Sequence, residues 1–460
     1  MNEKIKFSLF FVVFLFGSII ISAQTDDLSA YKLNALSLDQ AIRYSMTHSP
    51  EYNNKKLKQQ EASMKLSETY TDRIPTVYAS GDIRNNLIIP STPVPASMLD
   101  PTASADELLY MKFATRWSSS AGINLSYDLF NPATAGKVPE QKQEVKISGY
   151  NMQLSEKELR AKVSQAYAEC IIAVTQMESM AQDTVYYHNA LSYSETLYVR
   201  GKMELADKNK AKTAFNESIY RFLQAQTILH AAKSKLLYVM GEEITDENIQ
   251  MLHFSEDIPA LYAKIASPLL NDAGSAFPEN SLSEMRQSEV VSLAANRIKH
   301  ASWKFAPTLS LSGFYGVNYF GRELQLANSS QWLGNSFIAM SLKFPITQSL
   351  STSRELSQLR IQKQTEQENL RDIRNKLAMD WSNETAQLMA RQKEYALKQN
   401  NLSMTRENFL AARSQYDKGH LLQTDLMSEE SKVRTAVQDY LQAAYNLFLS
   451  CIAIDKIQDK

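Results

Sequence analysis

Two stretches of this chain contain a single residue each that can end a helix. Between Tyr150 and Met240 the only Gly or Pro is Gly201, and between Ile346 and Lys460 it is Gly419. Helices of globular domains average about 11–12 residues, so stretches of this length exclude a compact globule. As one helix, 350–416 would run about 100 Å at roughly 1.5 Å per residue. Its apolar residues recur at helical spacing: Leu370, Ile373, Leu377, then Phe409, Ala412 and Tyr416. Such narrow stripes suit coiled-coil packing.

The two breaks carry the same punctuation. YVRGKMELAD begins at Tyr198 and YDKGHLLQTD at Tyr416, with Tyr, Gly and Asp at one spacing. Upstream the halves match again, as IPTVYASG from Ile74 and APTLSLSG from Ala306, each after a polar helical stretch (51–72 and 281–304). There the hydrophobic period switches from 3.6 to 2. Leu309, Leu311, Tyr315, Val317 and Tyr319 oppose Ser310, Ser312 and Asn318. Segments 119–129 and 336–344 alternate in the same way. Each half therefore reads helix, strand, loop, strand, long helix, Gly break, helix, which is an internal repeat of a large unit. At each break Gly supplies a left-handed helix end at no steric cost, and the chain folds back as a coiled-coil hairpin.

Alternation alone favours a small soluble sheet. The N-terminus shifts that balance. Lys4 and Lys6 precede an apolar run from Phe7 to Ile21, and Ser22-Ala23 offers small residues for cleavage. The run is too short to span a bilayer comfortably and reads as a secretory signal peptide over 1–23. No Cys follows it to carry a lipid anchor, and no later segment reads as a transmembrane helix. Together with four alternating strands of bilayer-crossing length, these features favour an outer-membrane β-barrel. Four strands cannot close on themselves and open edges are not tolerated in lipid, so the barrel must be shared between chains. The Pro-rich connection within the first strand pair (Pro90, Pro93, Pro95, Pro101) reads as an irregular exterior loop, and GRELQLANSSQW joins the second pair.

The formal net charge of −1 leaves no electrostatic footprint for nucleic acid. Cys170 and Cys451 lie in apolar helical stretches and read as packing residues. There is no G-x-x-x-x-G-K-[ST], G-x-S-x-G or H-E-x-x-H motif, and the six His are dispersed. The sequence offers no catalytic constellation, metal site or cofactor site.

The order of elements, LSLDQAI near the N-terminus, the Pro-led strands at Pro75 and Pro307, and the paired YxxGxxxxxD resemble the outer-membrane efflux protein family, the TolC-like channels, across the mature chain. The resemblance implies an α+β membrane protein: a homotrimer whose four strands per chain make a twelve-stranded β-barrel, continued by a long periplasmic α-helical barrel of coiled-coil hairpins. The first repeat is 24–240, with strands 75–89 and 117–129 and a tip near 201. An equatorial segment is 241–280. The second repeat is 281–460, with strands 307–320 and 335–345 and a tip near 419. The implied function is the passive exit duct of a tripartite efflux pump or type I secretion system. A periplasmic adaptor (membrane fusion protein) and an inner-membrane pump of RND or ABC type are its implied partners, and outer-membrane lipid surrounds the barrel. The competing class is a non-channel periplasmic coiled-coil protein with a structural or adhesive role.

By the same resemblance Asp425 matches a carboxylate ringing the periplasmic constriction, where three crowded copies would repel and favour cations. The local alternative is a carboxylate placed to favour a helix N-terminus. Tyr416 and Asp207 match a polar network at the tip, and Tyr198 holds the corresponding aromatic position, where plain packing competes. Gly201, Lys202, Gly419 and His420 sit at the turns and are the candidate adaptor contacts. Two positions depart from the better-known members. Leu421 stands where they have an Arg that pairs with the Asp207 position, and Ser428 stands where a second acidic ring is expected.

Overall fold

The computed structural model describes residues 35–99, 108–266, 277, 281–346 and 349–458, so the signal-peptide reading of 1–23 lies outside the described residues. The chain enters through Leu36, which pairs with Phe254 in a short parallel bridge, its N–H donating to His253 O at 2.8 Å. Ser37 and Gln40 then form a reciprocal capping box that starts α1 (Leu38–His48), satisfying two orphan amides. Helix α2 (Pro50–Thr71), with Pro at its first position, leads to β1 (Thr76–Asn85). After the Pro-rich connection, β4 (Trp117–Phe130) returns to a one-turn α3 (Pro132–Ala135) and the 63-residue α4 (Lys137–Val199). Helix α5 (Leu205–Met240) runs back from the first tip.

The second half repeats this plan. Short helices α6 (Asp246–Met251) and α7 (Ile258–Leu261) are followed by α8 (Leu282–Trp303) and then β5 (Thr308–Gly321) and β6 (Trp332–Lys343). The 69-residue α9 (Ser349–Asp417) descends to the second tip, and α10 (Gln423–Ile457) returns. At about 1.5 Å per residue α9 is roughly 100 Å long. Among the described residues no helix is long and apolar enough to cross a membrane.

The sheet order is β1-β4-β5-β6, antiparallel throughout. Its register aligns an apolar row on one face: Val77 lies opposite Leu125, Leu125 opposite Gly313, and Gly313 opposite Ile338. On that face Ile338 is 80 % exposed and Tyr315 77 %. Burying one such side chain is worth about 1.5–3 kcal/mol, so the row calls for an apolar neighbour. The opposite face is polar, with Asn124 donating to Ser80 Oγ at 2.7 Å and Ser120 bonded to Asp82. Aromatic side chains interrupt it, and Phe314 of β5 stacks on Phe337 of β6 with ring centroids 6.1 Å apart. A Cβ added at Gly122 or Gly316 would come within 2.7–2.8 Å of the Phe314 ring, which therefore lies flat across both glycines.

Two sequence expectations shift. The Pro-rich connection is not wholly irregular, because β2 (Thr92–Pro95) pairs with β3 (Leu108–Met111) as a two-stranded ribbon. Pro93 and Pro95 are tolerated there because a two-stranded ribbon consists of edges. The first strand also ends at Asn85, four residues short of the expected 89, and Leu87 and Ile88 leave the sheet almost fully exposed.

The core lies where α1, α4, α5, α7 and α10 converge, around Val163, Ala166, Tyr167, Leu236, Leu261 and Phe448. Tyr167, fully buried, donates its hydroxyl to Leu36 O at 2.8 Å and so secures the chain entry. Cys170 and Cys451 are both fully buried, and burial pushes both thiols up to about 12. They pack as small apolar residues and are inert as nucleophiles.

Left-handed glycines end three helices: Gly201, Gly241 and Gly419, with φ of 69, 82 and 76°. A Cβ at Gly201 would meet nothing within 4 Å, whereas one at Gly241 would lie 2.4 Å from His48 O. Gly201→Ala should therefore cost only the backbone term, about 1–2 kcal/mol. Gly241→Ala must also push α1 away and should lower the urea unfolding midpoint distinctly more; equal midpoints for the two variants would contradict this packing.

Candidate functional site

The two tips are built alike in backbone. At the end of α4, Gly201 N–H donates to Tyr198 O and Lys202 N–H to Leu197 O, both at 2.9 Å. At the end of α9, Gly419 N–H donates to Tyr416 O and His420 N–H to Gln415 O, again at 2.9 Å. This is the Schellman arrangement, which requires one residue in the left-handed region and satisfies the last carbonyls. The chain then restarts as a helix behind Glu204 or Leu422, neither of which caps with its side chain. Asp207 and Asp425 each fall in the first turn that follows. There a carboxylate favours the positive end of the helix dipole. The spacing of Gly and Asp thus follows from the geometry of the turn.

The side chains at the echoed positions differ. Tyr416 meets Tyr193 edge-on, with centroids 6.3 Å apart, and is held above the usual phenol range by burial, then by Tyr193 and Asp417. Tyr198 lies beneath the Lys208 ammonium, 4.7 Å from the ring centroid. Asp207 forms an ion pair with Lys210 of its own helix at 3.0 Å, while Asp425 is exposed. Within one chain these four residues do not converge into a cluster. Gly201, Lys202, Gly419 and His420 are all exposed at the turns, with Val199 (85 %) and Leu422 (70 %) bare beside them.

Besides the Tyr193–Tyr416 contact, three further contacts join the two hairpins near the tips. Ser194, fully buried, donates to Gln423 Oε1 at 3.3 Å, and Gln423 Nε2 donates back to Ser194 Oγ at 3.0 Å. Seven residues farther along each helix, the Tyr187 hydroxyl is hydrogen-bonded to Glu430. Arg434 donates to both, at 3.2 Å to each. Tyr186 packs edge-on against Phe409, with centroids 5.9 Å apart. Sequence reasoning missed Ser194, Gln423, Glu430 and Arg434. The available signal was polar residues seven apart on the helix before Gly201 (Ser194, Tyr187) and on the helix after Gly419 (Gln423, Glu430). Among the described residues no three His, Cys, Asp or Glu side chains gather as a metal-binding group.

Neither a protein-family model nor a curated protein sequence matches this chain. Solved structures do match it. The CmeC outer membrane channel of Campylobacter jejuni aligns over 91 % of this chain and 85 % of its own, with a TM-score of 0.70 at 13 % identity. The outer membrane protein VceC of Vibrio cholerae aligns over 91 % and 95 %, with a TM-score of 0.68 at 14 % identity. The MtrE outer membrane channel of Neisseria gonorrhoeae, in its open state, aligns over 91 % and 88 %, with a TM-score of 0.68 at 16 % identity. The fold is that of the TolC-like outer-membrane channels: a small antiparallel sheet continued by long helical hairpins.

The Ser194–Gln423 pair is the inter-hairpin hydrogen bond nearest the turns. A hydrogen bond of this kind contributes about 1 kcal/mol, or roughly a fivefold change in local opening. Gln423→Ala should accordingly speed amide exchange about fivefold across 190–205 and 415–430 and leave the core around Tyr167 unchanged; no change near the tips would show that the pair contributes nothing to holding the hairpins together.

Proposed function

We propose that this chain is an outer-membrane exit channel. The observation that carries the reading is the four-stranded sheet. It has one apolar face in register across all four strands and unpaired outer edges at β1 and β6. Its strands, of 10 to 14 residues, match the roughly 9–11 needed to cross a bilayer when tilted. Trp117, Tyr319 and Trp332 gather at the end of the sheet away from the helices, as an interfacial girdle would. Lipid on the apolar face and strands from neighbouring copies on the edges meet both demands. A homotrimer closes twelve strands, the number the resemblance calls for. A coiled-coil scaffold with a soluble sheet leaves the bare apolar row unexplained.

In this reading the helical hairpins form a tunnel through the periplasm, with 241–280 at its equator. The tips carry a gate and dock a periplasmic adaptor, and an inner-membrane pump supplies the energy, so the chain is a passive conduit and not an enzyme. Asp425 from three copies lines the constriction, with Asp207, Tyr416 and Tyr198 around it. Lys202 and His420, exposed beside Gly201 and Gly419, meet the adaptor.

The mature chain extracted from outer membrane in detergent should have the mass of a trimer and should conduct ions in planar bilayers. A monomer recovered from the aqueous periplasmic fraction would overturn the channel reading. In the trimer, Asp425→Ala should lower cation over anion selectivity severalfold, as expected on removing a ring of like charges. Lys202→Glu combined with His420→Glu should abolish adaptor capture while leaving single-channel conductance in place; retained capture would remove these residues from the interface.

A further inference from the structure

The seam between α4 and α10 changes character along its length. From Tyr187 and Glu430, a seven-residue step away from the tips reaches Met180 and Val437, and a second reaches Ala173 and Ala444, all four buried. Toward the tips the same step reaches Ser194 and Gln423. The seam is therefore closed by apolar and small side chains above and by polar ones at its last two layers. A polar layer can exchange its partners for water when it parts, whereas an apolar layer cannot.

The upper polar layer is imperfectly paired: a carboxylate oxygen, Asp183 Oδ2 on α4, and a guanidinium donor, Arg221 Nε on α5, are both buried without a hydrogen-bond partner. Glu430 is only 5 % exposed and is matched by the Tyr187 hydroxyl and Arg434. Asp183, one turn from Tyr187 on α4, faces the same carboxylate, yet its buried Oδ2 has no hydrogen-bond partner. Two facing carboxylate oxygens can bond only with a proton between them. Burial, then the charge of Glu430, pushes the Asp183 carboxyl up to about 6, with Arg434 and Arg221 opposing. The other titratable groups facing this layer are Tyr186 and Tyr187 on α4, Arg221 on α5, and Arg413 and Tyr416 on α9.

We propose that Asp183 and Glu430 share one proton while the hairpins are packed together, and that losing it loosens the α4–α10 seam and lets the tips part. The proposal rests on the channel reading for its consequence, since a seam that parts at the tips widens the duct there. The sign follows from linkage. In the packed seam Asp183 holds its proton up to about pH 6, whereas in a parted, solvated seam it behaves as an ordinary carboxyl near 3.9. Above about pH 6 both states have released the proton and the packed state bears the full cost of an unsatisfied buried charge. As pH falls from about 6 to about 4, only the packed state takes the proton up, and packing is favoured by up to about tenfold per pH unit per chain. Asp183 is a positioning residue here, acting through Glu430 and Tyr187.

The test uses the full-length mature protein, with conductance in planar bilayers and amide exchange corrected for intrinsic rates, both between pH 4.5 and 7.5. Wild type should lose conductance by about fivefold between pH 6 and pH 5, and exchange across 187–200 and 419–434 should slow in the same window. Asp183→Asn supplies the missing N–H donor without a charge. It should stay at the low-pH level of both readouts at every pH, and its unfolding midpoint at pH 7 should not fall. Tyr187→Phe removes the phenol that holds Glu430 and should raise tip exchange at all pH values. If Asp183→Asn keeps the pH response of wild type, the exposed tip carboxylates carry that response and the proposal is overturned. If wild type shows no response in either readout, it is likewise overturned. A chain whose exchange responds and whose response is lost in Asp183→Asn, but which passes no current, keeps the proton-sharing seam and overturns the channel reading alone.

Discussion

A sheet with bare edges and a bare apolar face cannot stand alone in water or in lipid. The β1 and β6 edges leave backbone donors and acceptors without ladder partners, and the row from Val77 to Ile338 leaves apolar area without a neighbour. Lipid can cover the face but offers nothing to the edges. The structure beyond the sheet follows from how that demand is met. Each strand pair is joined to a helix too long and too polar to form a globule, so the helices stand side by side as hairpins. Helix α4 packs with α2, α5, α8 and α10, and α9 packs with α8 and α10. Among the described residues the core forms where Leu36 and the segment after α6 close around α4 and α10.

Much of this was legible in the sequence because it depends on local rules. Gly201 and Gly419 announce two hairpins because no other residue tolerates that backbone so cheaply. The period-2 runs announce strands because a pleated chain alternates its side chains. Other features had no local signal. The pairing of β4 with β5 joins the two halves of the chain, and nothing in either strand names its partner. Phe314 interrupts the alternation, and its place became intelligible only once Gly122 and Gly316 were found beneath it. The Tyr187–Glu430–Arg434 group joins residues from two distant segments, and each member reads alone as an ordinary helical polar residue.

The two halves are equivalent in backbone and unequal in chemistry. The same turn, glycine and first-turn acid recur, but only the second hairpin's returning helix contributes Gln423, Glu430 and Arg434 to the seam with α4. Asp207, the counterpart of Asp425, remains in an ion pair on its own helix. A repeat that keeps its turns and diverges in its contacts can hold one hairpin as the frame and let the other respond. Leu421 brings no charge to the second turn, and the polar contacts with α4 lie farther from it, at Ser194, Gln423 and Glu430.

The seven-residue step that relates Ser194 to Tyr187 and Gln423 to Glu430 also limits how such a molecule can change in size. Each residue turns a helix by about 100°, so losing one residue between the core and a tip would rotate every layer beyond it out of the seam. Only whole repeats, about 10 Å at a time, restore the register, and they must be added or removed in all four long helices together. The length of the hairpins is therefore quantised. A lineage carrying this architecture can lengthen or shorten them only in discrete jumps.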